Sequence, residues 1–284
     1  MIHTAQVQEL SIPAAKEVFH CIGLTGSAFF TIAIAACVSA TAHAQSHLHR
    51  DSYGAITRGN TATKKLALVF TGDEHAESTV PILDALKHRD IKASFFVTGN
   101  FLRRTGTSSK GGPPFIHRIL AAGHYLGPHS DAHPLYCDWN NREKTLVTKA
   151  FFTADLKKNI ADLRAAGALA PGEPIYFIPP YEWYNRDQAE WCKELGVTLI
   201  NFTPGSGSNR DYGREGDNRF VPSQRIFEDI LAYEQKAPHG LNGFLLLLHL
   251  GSGRRDPFHA YLGPLCDELT ARGYKFVRVD RLIE

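Results

Sequence analysis

From residue 65 onward the chain alternates short, continuously apolar runs with longer segments of helical spacing. Leu66-Ala67-Leu68-Val69-Phe70 is apolar at every position, the pattern of a strand covered on both faces. Residues 80–87 then carry Ile82, Leu83 and Leu86 at helical spacing. The alternation continues with a strand over 93–97, a helix over 115–122 closed by Gly123, and a strand from 125 to 127. A long helix follows over 148–166, with Leu156, Ile160 and Leu163 on one face and Gly167 behind it. Next come a strand over 175–178, a helix over 187–195 stopped by Gly196, and a strand over 197–202. A helix over 223–234 has Ser223 as its expected N-cap. The most apolar strand spans 243–249, a helix over 257–272 stops at Gly273, and a last strand covers 276–279. Glycine directly after the last apolar position is the usual helix stop, because it adopts the left-handed conformation without strain. Alternation this sustained predicts an α/β fold with a parallel sheet. About seven units fit a distorted (β/α)7-type barrel, one domain over 65–284. The glycine-rich stretch 205–216 reads as a long surface loop.

The preceding residues read differently. Between Cys21 and Ala42 there is no charged residue, and Ala42-His43-Ala44 has the small-x-small form of a signal peptidase site. Residues 1–44 are therefore expected to be a signal peptide, or a lipoprotein leader lipidated at Cys37 in Ile34-Ala35-Ala36-Cys37. An uncleaved anchor is the third reading, since the run is about long enough to span a bilayer. Each of them exports the protein, to the periplasm or beyond. Residues 45–64 are polar, lack periodicity and are expected to be a flexible lead-in.

Composition narrows the function. Charged residues make up 21% of the 284, the net charge is +2, and no long run of one sign occurs. That argues against a nucleic-acid or polybasic membrane partner. Beyond the leader, Cys137, Cys192 and Cys266 are widely spaced and no Cys-x-x-Cys occurs, which argues against a structural zinc site built on thiolates. One disulfide and buried free thiols are equally compatible with the spacing.

In a β/α barrel, functional side chains gather at the C-terminal ends of the strands. His129-Ser130-Asp131-Ala132-His133 follows the third strand, and an i, i+4 histidine pair on a helical turn aims two imidazoles the same way. Asp73, after the first strand, offers an oxygen ligand. Two histidines and one carboxylate leave positions open for water and substrate, the composition of a catalytic metal site. Zinc is the default ion, with cobalt or nickel as alternatives. His249, directly after four leucines, suits a general acid because its ordinary pKa lies near neutrality. Pro180, Tyr181 and Trp183 form a stiff aromatic loop on which a sugar ring can stack. Glu74 and Glu182 are rim carboxylates able to act as base.

These motifs resemble those of the polysaccharide deacetylases of NodB-homology type, carbohydrate esterase family 4, over about residues 64–284. His129–His133 falls on the family's His-Ser/Thr-x-x-His, and Leu245-Leu246-Leu247-Leu248-His249 on its Leu-x-Leu-x-His. Phe70-Thr71-Gly72-Asp73-Glu74 and Ile178-Pro179-Pro180-Tyr181 match two further motifs in part. The resemblance implies a metal held by Asp73, His129 and His133, with His249 as acid. It also implies that the Tyr181 backbone N–H binds the developing oxyanion. Two departures stand out. The family's first motif aspartate, its base, falls at Gly72, and the arginine that orients it falls at Ile178. Glu74 and Glu182 are then the replacement bases, Asp131 a lesser one. Asn201 falls near the family's carboxylate partner of the acid histidine, which predicts a lower His249 pKa.

The resulting expectation is an exported, metal-dependent hydrolase that removes acetyl groups from N- or O-acetylated carbohydrate. The alternatives are a catalytically silent carbohydrate-binding protein, or a hydrolase of another non-peptide C–N bond on the same barrel. The expected partner is an acetylated oligo- or polysaccharide, and nothing in the sequence calls for a protein partner.

Overall fold

The computed structural model describes residues 47–105 and 114–284. The expected leader over 1–44, with Cys37, lies outside these residues. The long strand β3 (Lys65–Gly72) is buried at every position after the first. It pairs in parallel with β4 (Ser94–Val97) on one side and β8 (Phe244–His249) on the other. β4 in turn pairs in parallel with β5 (Tyr125–Pro128). β6 (Ile175–Phe177) and β7 (Val197–Leu199) form a separate parallel pair. The connecting helices are α1 (Thr79–His88), α2 (Gly99–Thr105), α3 (Phe115–Ala121), α4 (Lys149–Ala165), α5 (Arg186–Glu194), α6 (Ser223–Lys236) and α7 (His259–Ala271).

The sheet curls into an incomplete barrel. On one side it closes through backbone bonds: Asn201 N donates to the Ile56 carbonyl and Thr203 N to that of Leu245. Between β5 and β6 the closure is made by side chains. Tyr125 Oη accepts from Tyr176 N at 3.0 Å, and the His129 ring meets the Ile178 carbonyl at 2.8 Å. Two cores follow from the strand alternation. Leu66, Leu68 and Phe70 face the helices, whereas Ala67 and Val69 face the interior with Phe96, Ile178, Ile200, Leu245 and Leu247. The C-terminal helix α8 (Val279–Leu282) adds Val279 and Leu282 to that interior.

Three local expectations are corrected. Residues 49–58 of the expected flexible lead-in form β1 (His49–Arg50) and β2 (Ile56–Arg58), an antiparallel pair, and β2 docks on β8. Ala55 and Ile56 are buried there. Strands of two and three residues are too short to display an alternation. The expected last strand over 276–279 is only β9 (Lys275–Phe276), after which the chain turns into α8. Ser223 is the first residue of α6, behind Pro222; its N–H donates to Asp256 Oδ2 and its hydroxyl to the Asp256 carbonyl. Cys137, Cys192 and Cys266 are each buried and unpaired. No described helix is long and apolar enough to cross a membrane.

Candidate active site

A cavity of about 1000 Å³ opens at the C-terminal ends of the strands. Its lining brings together Asp73, Glu74, His129, His133, Tyr181, Glu182, Trp183 and His249, the polar and aromatic residues expected from sequence apart from Pro180, which is buried beside Tyr181.

The histidine loop is held from beneath by α4. Asp155 accepts the N–H groups of Asp131 and Ala132 at 2.9 and 3.0 Å, and Asn159 Oδ1 accepts that of His129 at 3.0 Å. Asp131 is bound by Arg103 and Lys158, both at 2.7 Å, so it supports the loop and is ill placed to act as a base. Ser130 and His133 both have left-handed backbones, with φ of 72° and 55°. Such conformations are strained in residues with a Cβ and persist only where the surroundings enforce them.

Among the described residues, no three His, Cys, Asp or Glu side chains already converge on a single point. Asp73, His129 and His133 are nevertheless neighbours. His133 Nδ1 stands 3.7 Å from Asp73 Oδ2, and the two imidazole rings are 5.1 Å apart. The first distance is too long for a hydrogen bond and close to the about 3–3.5 Å between two donors on one ion with bonds near 2 Å. The Ile178 carbonyl engages His129 Nδ1, which leaves Nε2 as the free acceptor. Burial, followed by the neighbouring His133, holds the His129 pKa well below its ordinary value. His133 is lowered by burial, against the pull of Asp73. Both are therefore neutral, the form a metal needs. Asp73 Oδ1 accepts from Thr98 Oγ1 at 2.8 Å and Asn100 Nδ2 at 3.3 Å, which fixes the carboxylate. The donor set fits a divalent ion.

His249 has a partner that the sequence did not reveal. Its Nδ1 lies 2.6 Å from Asp211 Oδ1, and its backbone N–H donates to Asp211 Oδ2 at 2.9 Å. Asn201, expected near that role, instead donates to the Glu182 carbonyl at 2.9 Å. The expected lowering of His249 is reversed as well. Burial disfavours its charge, but Asp211 and then Glu182 outweigh burial, and the pKa is raised. Asp211 comes from the glycine-rich stretch, within the 3₁₀ turn Ser208–Tyr212.

Glu182 and Glu74 differ sharply. Glu182 is half-buried, and burial pushes its carboxyl up to about 7 despite the opposing His249 charge. Glu74 is exposed at the rim. Tyr181 and Glu182 are consecutive left-handed residues, at φ 58° and 53°, after two prolines that preset the chain direction. Glu182 N and Trp183 N donate to the carbonyls of Pro179 and Pro180. Tyr181 N has no backbone acceptor among the described residues.

The two positions matched to the family's aspartate and arginine, Gly72 and Ile178, face different sides of the barrel wall. A Cβ at Gly72 would lie 2.8 Å from Leu250 Cδ1 and 3.0 Å from the Phe101 ring, on the helix side of β3. Ile178 faces the interior with Ala67 and Val69, the face to which Thr71 belongs. Thr71, next to Gly72 on β3, shares that interior face, and its buried hydroxyl has no hydrogen-bond partner among the described residues.

Aromatic rings complete the cavity. Trp139 stacks on Trp183 at 5.6 Å and meets the edge of Tyr181 at 5.6 Å, while Tyr181 lies 4.4 Å from the His133 ring. Trp139 and Tyr181 are exposed, at 54% and 46%, so their faces are available to a ligand. Trp139 gave no signal in sequence beyond being an aromatic in a polar loop.

Comparison with known proteins agrees with this architecture. Residues 58–200 match the polysaccharide deacetylase family model. The chain is 33% identical over 202 residues to a chitin deacetylase of Colletotrichum lindemuthianum, covering 71% of this chain and 72% of that one. It is 26% identical over 219 residues to a peptidoglycan-N-acetylglucosamine deacetylase of Listeria monocytogenes; the match covers 77% of this chain and only 39% of the relative. Among solved structures, a carbohydrate esterase family 4 pseudoenzyme of Bacillus anthracis superposes with a TM-score of 0.62 at 19% identity, over 82% of this chain and 70% of that one. The chain belongs to the polysaccharide deacetylases of NodB type, carbohydrate esterase family 4.

Proposed function

We propose that the protein is a metal-dependent deacetylase of N- or O-acetylated carbohydrate acting outside the cytoplasm. The observation that carries this reading is the pairing of His249 with Asp211 on the same cavity as Asp73, His129 and His133. A binding module has no use for a carboxylate-supported histidine beside a metal-type donor set.

In this reading Asp73, His129 and His133 hold a divalent ion, zinc before cobalt or nickel. Bound there, the ion would polarise the acetyl carbonyl and acidify the attacking water. Glu182 accepts the water proton, as its pKa of about 7 suits a base at neutral pH. The Tyr181 N–H donates to the oxyanion. His249, kept protonated by Asp211, delivers a proton to the leaving amine or alcohol. Trp139, Tyr181 and Trp183 stack against the sugar. Export rests on the leader reading of residues 1–44 and on where acetylated polymers occur.

One feature favours a second reading, a silent carbohydrate-binding protein: Gly72 and Ile178 fall where the resemblance puts the family's base and that base's arginine. Acetate release from acetylated chitin and peptidoglycan oligomers, measured metal-stripped and with zinc restored, separates the two. The deacetylase reading expects zinc-restored release, reduced at least about 100-fold in His249→Ala with glycan affinity retained. Glycan binding without release from any substrate establishes the silent reading. Release from a non-sugar amide alone points to a hydrolase of another C–N bond.

A further inference from the structure

We infer that Glu77 is a positioning residue: it fixes the turn after β8 so that Asp211 stays locked on His249. This deepens the deacetylase reading and rests on it for the role of His249 as acid. Glu77 lies between Asp73 and α1, where an acidic residue ordinarily complements the dipole of the helix that follows. Its carboxylate turns elsewhere. One oxygen, Oε1, accepts the backbone N–H groups of Ser252 at 2.8 Å and Gly253 at 2.6 Å, from a turn 175 and 176 residues further along the chain. Gly253 is left-handed, at φ 70°, a conformation that lets successive N–H groups converge on one anionic oxygen. Burial opposes the Glu77 charge, yet the Gly253 N–H, its own and that of Ser252 outweigh burial and hold the carboxyl below its ordinary value.

The turn so held is bonded to the acid pair. Gly251 lies two residues beyond His249, and a Cβ there would overlap the Glu77 carboxylate, so the turn can approach Glu77 only without a side chain at this position. Ser252 is buried and donates its hydroxyl to the Asp211 carbonyl at 3.0 Å. Asp211 in turn binds His249 through both carboxylate oxygens. Ser252 thus links Glu77 to Asp211, giving its N–H to the first and its hydroxyl to the second. Arg214, three residues past Asp211, donates from Nε to the Ser252 carbonyl at 2.5 Å and meets His75 Nε2 with Nη2. His75 Nδ1 stands 3.7 Å from Glu77 Oε2. Three segments are closed into one ring of contacts, and they carry Asp73, His249 and Asp211.

Asp211 needs this clasp. It sits in a short 3₁₀ turn, and from Gly213 to Pro222 the chain has no helix or strand of its own. Its two bonds to His249 tolerate little movement, because donor and acceptor must stay within about 3.2 Å and close to linear. The bonds from Ser252 and Arg214 supply the rigidity that an element would. Glu77 anchors them with a full charge, and a charge-assisted hydrogen bond is roughly twice as strong as a neutral one. Glutamine in its place keeps the shape and one acceptor but loses that charge.

The test reads the proton between His249 Nδ1 and Asp211 Oδ1 by proton NMR, in zinc-free protein and without substrate. The wild type is expected to show it as a downfield resonance that exchanges slowly with water. E77Q should speed that exchange at least about tenfold, as the turn opens on losing a charge-assisted bond. S252A cuts the link to Asp211 while leaving Glu77 in place, and should do the same. D267N, which neutralises a surface carboxylate on α7, should leave the exchange unchanged. With zinc restored, E77Q and S252A should lower kcat for acetate release by about tenfold or more at unchanged KM and zinc affinity. Unchanged exchange in E77Q overturns the inference, as does an equal change in D267N, or a wild type without the resonance. Faster exchange in both variants, with no acetate from the wild type, keeps the inference and removes the reading. Acetate released at the wild-type rate by both variants, with exchange unchanged, does the reverse.

Discussion

At the scale of single residues, the site turns on how burial and charge set two proton-transfer groups against each other. Burial raises the Glu182 carboxyl to about 7, and Asp211 together with Glu182 raises His249 above its ordinary value. A base must be deprotonated and an acid protonated, so the rate is bell-shaped in pH. Its acidic limb belongs to Glu182 near pH 7 and its alkaline limb to His249. Glu182→Gln removes the acidic limb and lowers kcat/KM by about 100-fold or more. It also moves the alkaline limb down, because the lost carboxylate no longer supports the imidazolium. The pH profile of acetate release by wild type, Glu182→Gln and Glu74→Gln measures this, with the larger loss expected at Glu182. A bell that persists unchanged in Glu182→Gln removes that residue from the mechanism.

At the scale of elements, α4 is the platform for the histidine loop. Two strained residues, Ser130 and His133, are held by three backbone bonds to Asp155 and Asn159. Asp155→Asn keeps one acceptor but turns an amide NH₂ toward a backbone donor. The variant is expected to lose about 1–3 kcal/mol of stability and about tenfold or more in zinc affinity. Urea unfolding and competition with a chromogenic chelator read the two effects separately. A stability loss with zinc affinity intact would make Asp155 a support of the fold alone. The same elements show what was legible in sequence. β3, β8 and the helices between them were plain, because continuous apolar runs and glycine stops are local signals. His129 and His133 were plain as an i, i+4 pair following the third strand, and His249 because it ends the leucine run. Asp211 was hidden: it lies 38 residues before His249, in a glycine-rich stretch with no periodicity, and only the fold brings the two together. Asn201 drew attention because it falls near the family's carboxylate partner of the acid histidine, although its side chain turns to the Glu182 carbonyl. Gly72 and Thr71 could be told apart only by which face of β3 each occupies.

At the scale of the whole molecule, the barrel is coupled to pH at the entrance to β5, away from the catalytic rim. His124 is buried against Phe95, with ring centroids 5.1 Å apart, and its Nδ1 accepts the Ala93 backbone N–H at 3.1 Å. Burial, then Lys92 and Arg278, lower its pKa from 6.5 to about 4. Protonating Nδ1 would place a donor against that N–H. The unfolded chain therefore binds the proton near pH 6.5, where the folded protein does not. Stability from this residue is complete above pH 6.5, falls as pH drops toward 4, and levels off below. The gap between the two pKa values corresponds to roughly 3 kcal/mol. His124→Asn keeps an acceptor near the Nδ1 position without a titrating group. Urea midpoints across this range should decline less steeply in the variant than in the wild type. Parallel declines would mean that carboxylates alone set the acid limit. The converging curves expected here would place that limit at the seam where α3 hands the chain to β5, next to the side chains that bridge β5 and β6. Acid would then loosen the barrel beside the His129 support as well as titrate the site.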